Sequence, residues 1–225
     1  MSLYRYIKIG VMVGLFLAGQ SLSCFARGND KVNEISFDWA FFLKAKYGFA
    51  RNLNFEGPEH VSGGDLLRIY LQLHDSCHVY LFLYDSRQDF YLVFPPNTHY
   101  YDAEFPAWEA SFIPSEREWF NLDDHKGTET FYLLATPERQ EELEGLVDEY
   151  LTDKDNDELK GQLIDLISQK INNSAMTSGV TETPLARPLI LKDNQIRPNS
   201  VGDALQTIRV DAGGAYGRIL ELKNQ

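Results

Sequence analysis

From Gly64 to Pro96 the chain carries three apolar runs separated by short polar breaks, GDLLRIYLQLHDSCHVYLFLYDSRQDFYLVFPP. In the first run Leu67, Ile69, Leu71 and Leu73 fall on one face and Arg68, Tyr70 and Gln72 on the other, the two-residue period of a half-buried strand. The second run, Cys77 to Tyr84, is apolar on both faces, with Val79, Leu81 and Leu83 on one and Tyr80, Phe82 and Tyr84 on the other, which predicts a strand covered from both sides. Asp85 to Asp89 supplies a polar turn, and Phe90 to Phe94 returns as a third strand. Pro95 and Pro96 stop it because they have no N–H for a ladder. These runs are expected to form an antiparallel meander at the heart of the fold.

Upstream, every second residue from Ile35 to Tyr47 is apolar, with Ser36, Asp38, Lys44 and Lys46 among those between. A helical stripe would bury Asp38 and Lys44, so a long amphipathic strand is predicted. Asn52 to Phe55 pairs briefly before Gly57-Pro58 and Gly63-Gly64. Downstream, Thr130 to Thr136 is a further apolar strand. A helix then opens at Pro137 on the stripe Leu143, Leu146, Val147, Tyr150 and Leu151. A second runs from about Asp157 to Ile171 on Leu159, Leu163, Leu166 and Ile167, so the helical pair spans about 137–171. The Thr/Ser-rich, Pro-broken stretch 172–188 predicts a flexible connection. Leu189 to Leu191, Ala204 to Val210 and Tyr216 to Leu222 predict closing strands. The expected fold is mainly β, an antiparallel sandwich-like sheet with a two-helix insertion before the closing strands; α+β is the alternative label.

The N-terminus changes the setting. Arg5 and Lys8 precede an apolar segment, Ile9 to Ala18, and small and polar residues follow up to Ala26. This is the pattern of a signal peptide over 1–26, too short for a membrane span, leaving a single β-rich domain over 27–225 that is periplasmic or secreted. A competing reading lipidates Cys24 and makes the chain an outer-membrane lipoprotein, although the position three residues before it is Ser21 where Leu is usual. Losing Arg5 and Lys8 takes the net charge from −12 to about −14. Nucleic acid and anionic lipid are therefore disfavoured as partners, and no basic run offsets this. Cys77 is then the one cysteine in the mature chain if cleavage follows Ala26, which excludes an internal disulfide and fits a buried thiol.

Candidate chemistry is sparse. His74, Asp75, Cys77 and His78 have metal-ligand side chains, but a strand starting there points Cys77 and His78 to opposite faces. Asp153-x-Asp155-x-Asp157 begins like a calcium loop and then fails, with Glu158 at the glycine position and Ile164 where a bidentate Glu is needed. Asp155 or Asp157 is expected to cap the second helix instead. There is no nucleophile elbow, zinc-protease helix, phosphate loop or dinucleotide fingerprint, and no cofactor is implied. The stretch 97–118 holds Tyr101 and Trp108, either packed over a sheet edge or displayed as a platform. Close behind come Trp119 and the turn Asp123, Asp124, Gly127, Glu129, expected to be structural, with Gly127 at a positive backbone angle and the acids capping turn N–H groups. Tyr101, Trp108, Trp119, Asp123, Asp124, Gly127 and Glu129 form the candidate binding rim.

Gly64-Asp65, Cys77-His78-Val79-Tyr80, Asp85, Phe94-Pro95, Ile113-Pro114, Leu122-Asp123-Asp124 and Gly127-Thr128-Glu129, as an ordered set over roughly Ile35 to Leu151, resemble the bacterial domain of unknown function numbered four-three-eight-four. The chain departs from that pattern at His78, after Asp85 and at Pro96. The resemblance implies an exported accessory module without an established catalytic site. The expected function is a non-catalytic envelope module that binds another envelope protein. The rival readings are a hydrolase of cell-wall or sugar substrates, for which acidic pairs such as Asp123/Asp124 are the candidates, and a small-ligand sensor.

Overall fold

The computed structural model describes residues 34–46, 48–102, 105–175, 179–186 and 206–225. The predicted leader, Cys24 and the strand expected at 189–191 lie outside the described residues. In chain order the elements are β1 (Ile35–Lys44), β2 (Ala50–Leu53), β3 (Glu59–Val61), β4 (Leu66–Leu73), β5 (His78–Tyr84), β6 (Phe90–Phe94), β7 (Ala110–Ile113), β8 (Phe120–Asn121) and β9 (Gly127–Thr136). Then come α1 (Glu141–Thr152), α2 (Asp157–Ala175), β10 (Thr181–Ala186), β11 (Gln206–Ala212) and β12 (Tyr216–Asn224). One sheet has the order β10-β11-β1-β4-β7, with β2 beside β1 and β8 beside β4; the other has the order β3-β12-β9-β5-β6. The neighbours are antiparallel except β12 with β3. This is the mainly β, antiparallel sandwich with a two-helix insertion that the periodicities predict.

The period of two builds the space between the sheets. Ile35, Phe37, Trp39, Phe41 and Leu43 of β1 and Leu67, Ile69, Leu71 and Leu73 of β4 meet Val79 and Leu81 of β5, Phe131 and Leu133 of β9 and Leu220 and Leu222 of β12. Phe41 sits edge-on to Phe131 at 5.1 Å and Phe37 edge-on to Tyr216 at 5.5 Å, so aromatic pairs tie one sheet to the other. Each such ring, fully buried, contributes about 1.5–3 kcal/mol.

The two-faced pattern of β5 is explained by a third layer. Tyr80 and Phe82, with Tyr132 and Leu134 of β9, face away from the sandwich and meet Leu143, Val147 and Tyr150 of α1 and Leu163, Ile167 and Ile171 of α2. Close approach of α2 to β12 depends on Gly217, where an added Cβ would lie 2.8 Å from the Ile171 Cα.

Several expectations change. The three central runs do not form one meander: β4 pairs with β1 along its length, while β5 pairs with β6 and β9 in the other sheet. The break at Asp75 carries the chain across the sandwich, so the inward leucines of β4 share the inter-sheet core with Val79 and Leu81 of β5. The outward side of β1 and β4 is covered too. Ala40, Phe42 and Tyr70 are buried there with Phe112 and Trp119 against them. Asp38, expected at the surface, is fully buried, because Arg209 of β11 donates to its carboxylate at 2.8 Å and His74 lies 2.9 Å from it.

Helix α1 begins at Glu141, after Pro137, because the Gln140 N–H is taken by the Tyr80 hydroxyl at 3.1 Å. The cap of α2 is Asn156, whose Oδ1 accepts from the N–H groups of Glu158 and Leu159 at 3.2 Å each. Asp157 is already the first helical residue. The connection expected to be flexible over 172–188 begins inside α2 and contains β10, paired with β11 from Thr181↔Asp211 to Ala186↔Gln206. Its polar composition suits an outer strand, where Pro184 is tolerated.

Candidate functional site

Strands β6 and β7 end their respective sheets on the same side of the sandwich without pairing to each other. Between them the layers part around a cleft of about 780 Å³. That is within the range of small-molecule and peptide pockets. Its floor is the margin of the inter-sheet core, Leu67, Leu83, Phe94, Ile113, Leu122 and Phe131. Phe105, delivered by the β6–β7 connection, packs on Phe94 with ring centroids 4.8 Å apart and separates the cleft from a smaller space of about 190 Å³ beside Leu71 and Leu73. The Phe94-Pro95 and Ile113-Pro114 peptide bonds are both cis and close the two strands that flank the cleft. At the mouth Tyr91 and Phe120 stay partly exposed, at 42% and 36%.

The polar part of the mouth comes from two turns. In the β5–β6 turn, Asp85 Oδ1 accepts from the N–H groups of Arg87 at 2.9 Å and Asp89 at 2.8 Å. In the turn before β9, Asp123 Oδ1 accepts from the His125 N–H at 2.8 Å, and its Oδ2 accepts from Arg87 Nη2 at 2.5 Å. Glu129 accepts from the Ser86 hydroxyl at 2.8 Å. Asn224 of β12 donates to the carbonyls of Asp123 at 2.7 Å and His125 at 2.9 Å, fastening the turn to the last strand. Gly127 has φ +154°, and a Cβ there would lie 2.5 Å from the Ser86 Cβ.

Of the predicted rim, Asp123 and Glu129 line the cleft, and Gly127 packs against Ser86 beside it. Asp124 lies against Gly63. The aromatics go to three other places. Tyr101 is buried against Tyr80 beneath α1, with ring centroids 6.1 Å apart. Trp108 lies edge-on to His74 at 4.2 Å and remains 62% exposed. Trp119 stacks under the Arg68 guanidinium, 4.1 Å from its ring centre, on the outer face of the first sheet. Phe105 belongs to the aromatic stretch 97–118 that the sequence singles out, whereas sequence reasoning missed Ser86, Arg87, Tyr91 and Phe120. The one available signal was the pair Phe94-Pro95 and Ile113-Pro114, which brackets the cleft.

Residues 60–139 match the family model described as Domain of unknown function (DUF4384). The DUF4384 match runs from β3 through β9, a shorter span than the resemblance noted in the sequence, and contains every residue that lines the cleft. No curated protein and no solved structure matches the chain.

Elsewhere Cys77 and His74 are buried and His78 is half-buried. Burial, and secondarily the nearby Asp75 carboxylate, push the Cys77 thiol up to about 12, which leaves it protonated. Burial lowers the pKa of His78, partly opposed by Glu144. Among the described residues no cluster of His, Cys, Asp and Glu is placed to hold a metal ion, and no helix is long and apolar enough to cross a membrane.

Proposed function

We propose that this chain is a non-catalytic binding module of the bacterial envelope, engaging another protein through the cleft between β6 and β7. The observation that carries the reading is the cleft itself: an apolar floor left open where two sheets end together, with exposed aromatics at its mouth. The engagement of the mouth carboxylates supports binding over hydrolysis. Asp85 caps a turn, Asp123 holds Arg87 and the His125 N–H, and Glu129 holds Ser86. Each of these acids is anchored by a donor of the fold, which suits fixed recognition of a cationic group better than shuttling a substrate proton. The envelope setting rests on the leader pattern over 1–26.

The test uses residues 27–225 with the neutral apolar dye Nile red as reporter. Dye emission should rise on binding and fall in Ser111→Trp, which fills the cleft, while the denaturation midpoint is kept. Peptides selected from a displayed library on the immobilised chain should displace the dye. Turnover of peptidoglycan or a model ester, abolished by Glu129→Gln, would overturn the reading in favour of a hydrolase.

A further inference from the structure

Resting on the cleft as a binding site, we propose that its occupant is an extended strand of a basic partner protein. It adds to the β6 edge, sends alternate apolar side chains into the cleft and sets a Lys or Arg against Asp85, Asp123 and Glu129. The backbone supplies the first half of the argument. Asp85 N–H donates to the Asp89 carbonyl at 2.9 Å, closing the β5–β6 hairpin. Antiparallel alternation from that pair turns the N–H groups of Phe90 and Leu92 away from β5. At Phe90 the ring of Tyr150, from α1, packs edge-on with centroids 5.7 Å apart. Leu92 presents its N–H and C=O to an edge where the described residues place no further strand. A strand laid there points every second side chain toward the apolar floor, the arrangement of β-strand addition.

Charge supplies the second half. Three carboxylates, Asp85, Asp123 and Glu129, face one cation, Arg87, whose guanidinium is already on Asp123. The mouth therefore keeps an excess of negative charge on a chain of net −12. A fatty acid or phospholipid, which fits an apolar cleft on size alone, brings a second anion to this mouth and is repelled; a Lys or Arg beside an apolar run is attracted. Tyr91 and Phe120 stand where a partner strand would cover them.

The experiment titrates the chain, residues 27–225 with Nile red bound, with a synthetic peptide alternating Val and Thr and ending in Lys. Three companions are used: the same peptide with Glu for Lys, the same peptide with alternate backbone nitrogens methylated, and laurate. The Lys peptide should displace the dye, with affinity reduced about tenfold by Lys→Glu and by Asp123→Asn, and binding lost on methylation. Displacement by laurate but not by the Lys peptide would overturn the strand proposal and leave the cleft reading intact. Equal affinity of methylated and unmethylated peptides would also overturn it. If no dye binds, both readings fall. Concentration-dependent self-association that displaces the dye would assign the edge to a second copy and overturn the basic-partner proposal.

Discussion

The hydroxyl of Tyr80, on β5, donates to the carboxylate of Glu144, on α1, at 2.5 Å, and this bond joins the helical layer to the sandwich. The same hydroxyl accepts from the Gln140 N–H, and Arg139 donates to the far oxygen of Glu144 at 2.5 Å. Glu144 is only 3% exposed, so these donors take the place of water around its carboxyl oxygens. Tyr80→Phe removes one donor from a buried carboxylate and one acceptor from a helix-start N–H while keeping the ring. We expect a loss of about 2 kcal/mol in chemical denaturation, with the two-state slope unchanged. A loss no larger than that of an exposed Tyr100→Phe would show that the cluster does not hold the helices to the sheet.

Tyr80, Tyr101 and Tyr216 all have phenol pKa values raised, in each case first by burial and then by neighbouring carboxylates: Glu144 for Tyr80, Asp148 and Glu144 for Tyr101, and Glu182 for Tyr216. In the unfolded chain a tyrosine ionises near 10. The folded state thus holds more protons above that pH, and the unfolded state gains by releasing them. The stability these groups contribute is fully present below about pH 10 and is lost as pH rises through the folded values. Thermal melts should hold steady up to that point and then fall. Tyrosinate absorbance from these three should grow in step with loss of the near-ultraviolet circular dichroism signal. Their full ionisation in a still folded chain would contradict the prediction.

Gly127 begins β9 at the mouth of the cleft, with φ +154° and Ser86 closely opposed. Gly127→Ala meets both obstacles, a backbone angle that side chains rarely adopt and a Cβ 2.5 Å from the Ser86 Cβ. The expected cost is more than about 1 kcal/mol. Ser86→Gly removes the opposing Cβ and also the hydroxyl that Glu129 accepts from, so Gly127→Ala is compared in its presence and absence: in the Ser86→Gly background only the conformational part of the cost should remain. No cost of Gly127→Ala in the Ser86→Gly background would mean that the angle costs nothing.

What was legible in the chain was whatever a short window decides. β5 shows apolar residues on both faces because it lies between two layers, and that pattern needs no knowledge of what the layers are. Gly127 and the Asp123 cap were readable because a tight turn needs its own residues. The burial of Asp38 was not, since its partner Arg209 is 171 residues away and nothing near Asp38 announces it. Arg68 and Tyr70 looked like a solvent face for the same reason: Trp119 and Phe112, about 40 to 50 residues on, cover them, Phe112 from the neighbouring strand β7 and Trp119 from just before β8. The cleft was the least legible feature, because it is the place where β6 and β7 fail to pair, and strand pairing is a property of two segments at once.

The start of α2 separates two residue types that look equivalent in sequence. Asn156 and Asp157 are adjacent cap-forming residues, and a cap must precede the first helical residue with its side-chain oxygen turned back to the N–H groups two and three positions on. Asn156 meets that condition, accepting from Glu158 and Leu159, while its carbonyl accepts from the Lys160 N–H at 3.1 Å. Asp157 instead pairs with Lys160 at 2.8 Å on the exposed side of the first turn. Asn156→Ala should therefore cost about 1 kcal/mol, and Asn156→Asp should retain the cap and gain from the helix dipole. Asp157→Ala should cost less than Asn156→Ala, and its small effect should shrink further at high salt, where a surface ion pair is screened. Equal losses for the two alanine variants would mean that Asp157 shares the capping role.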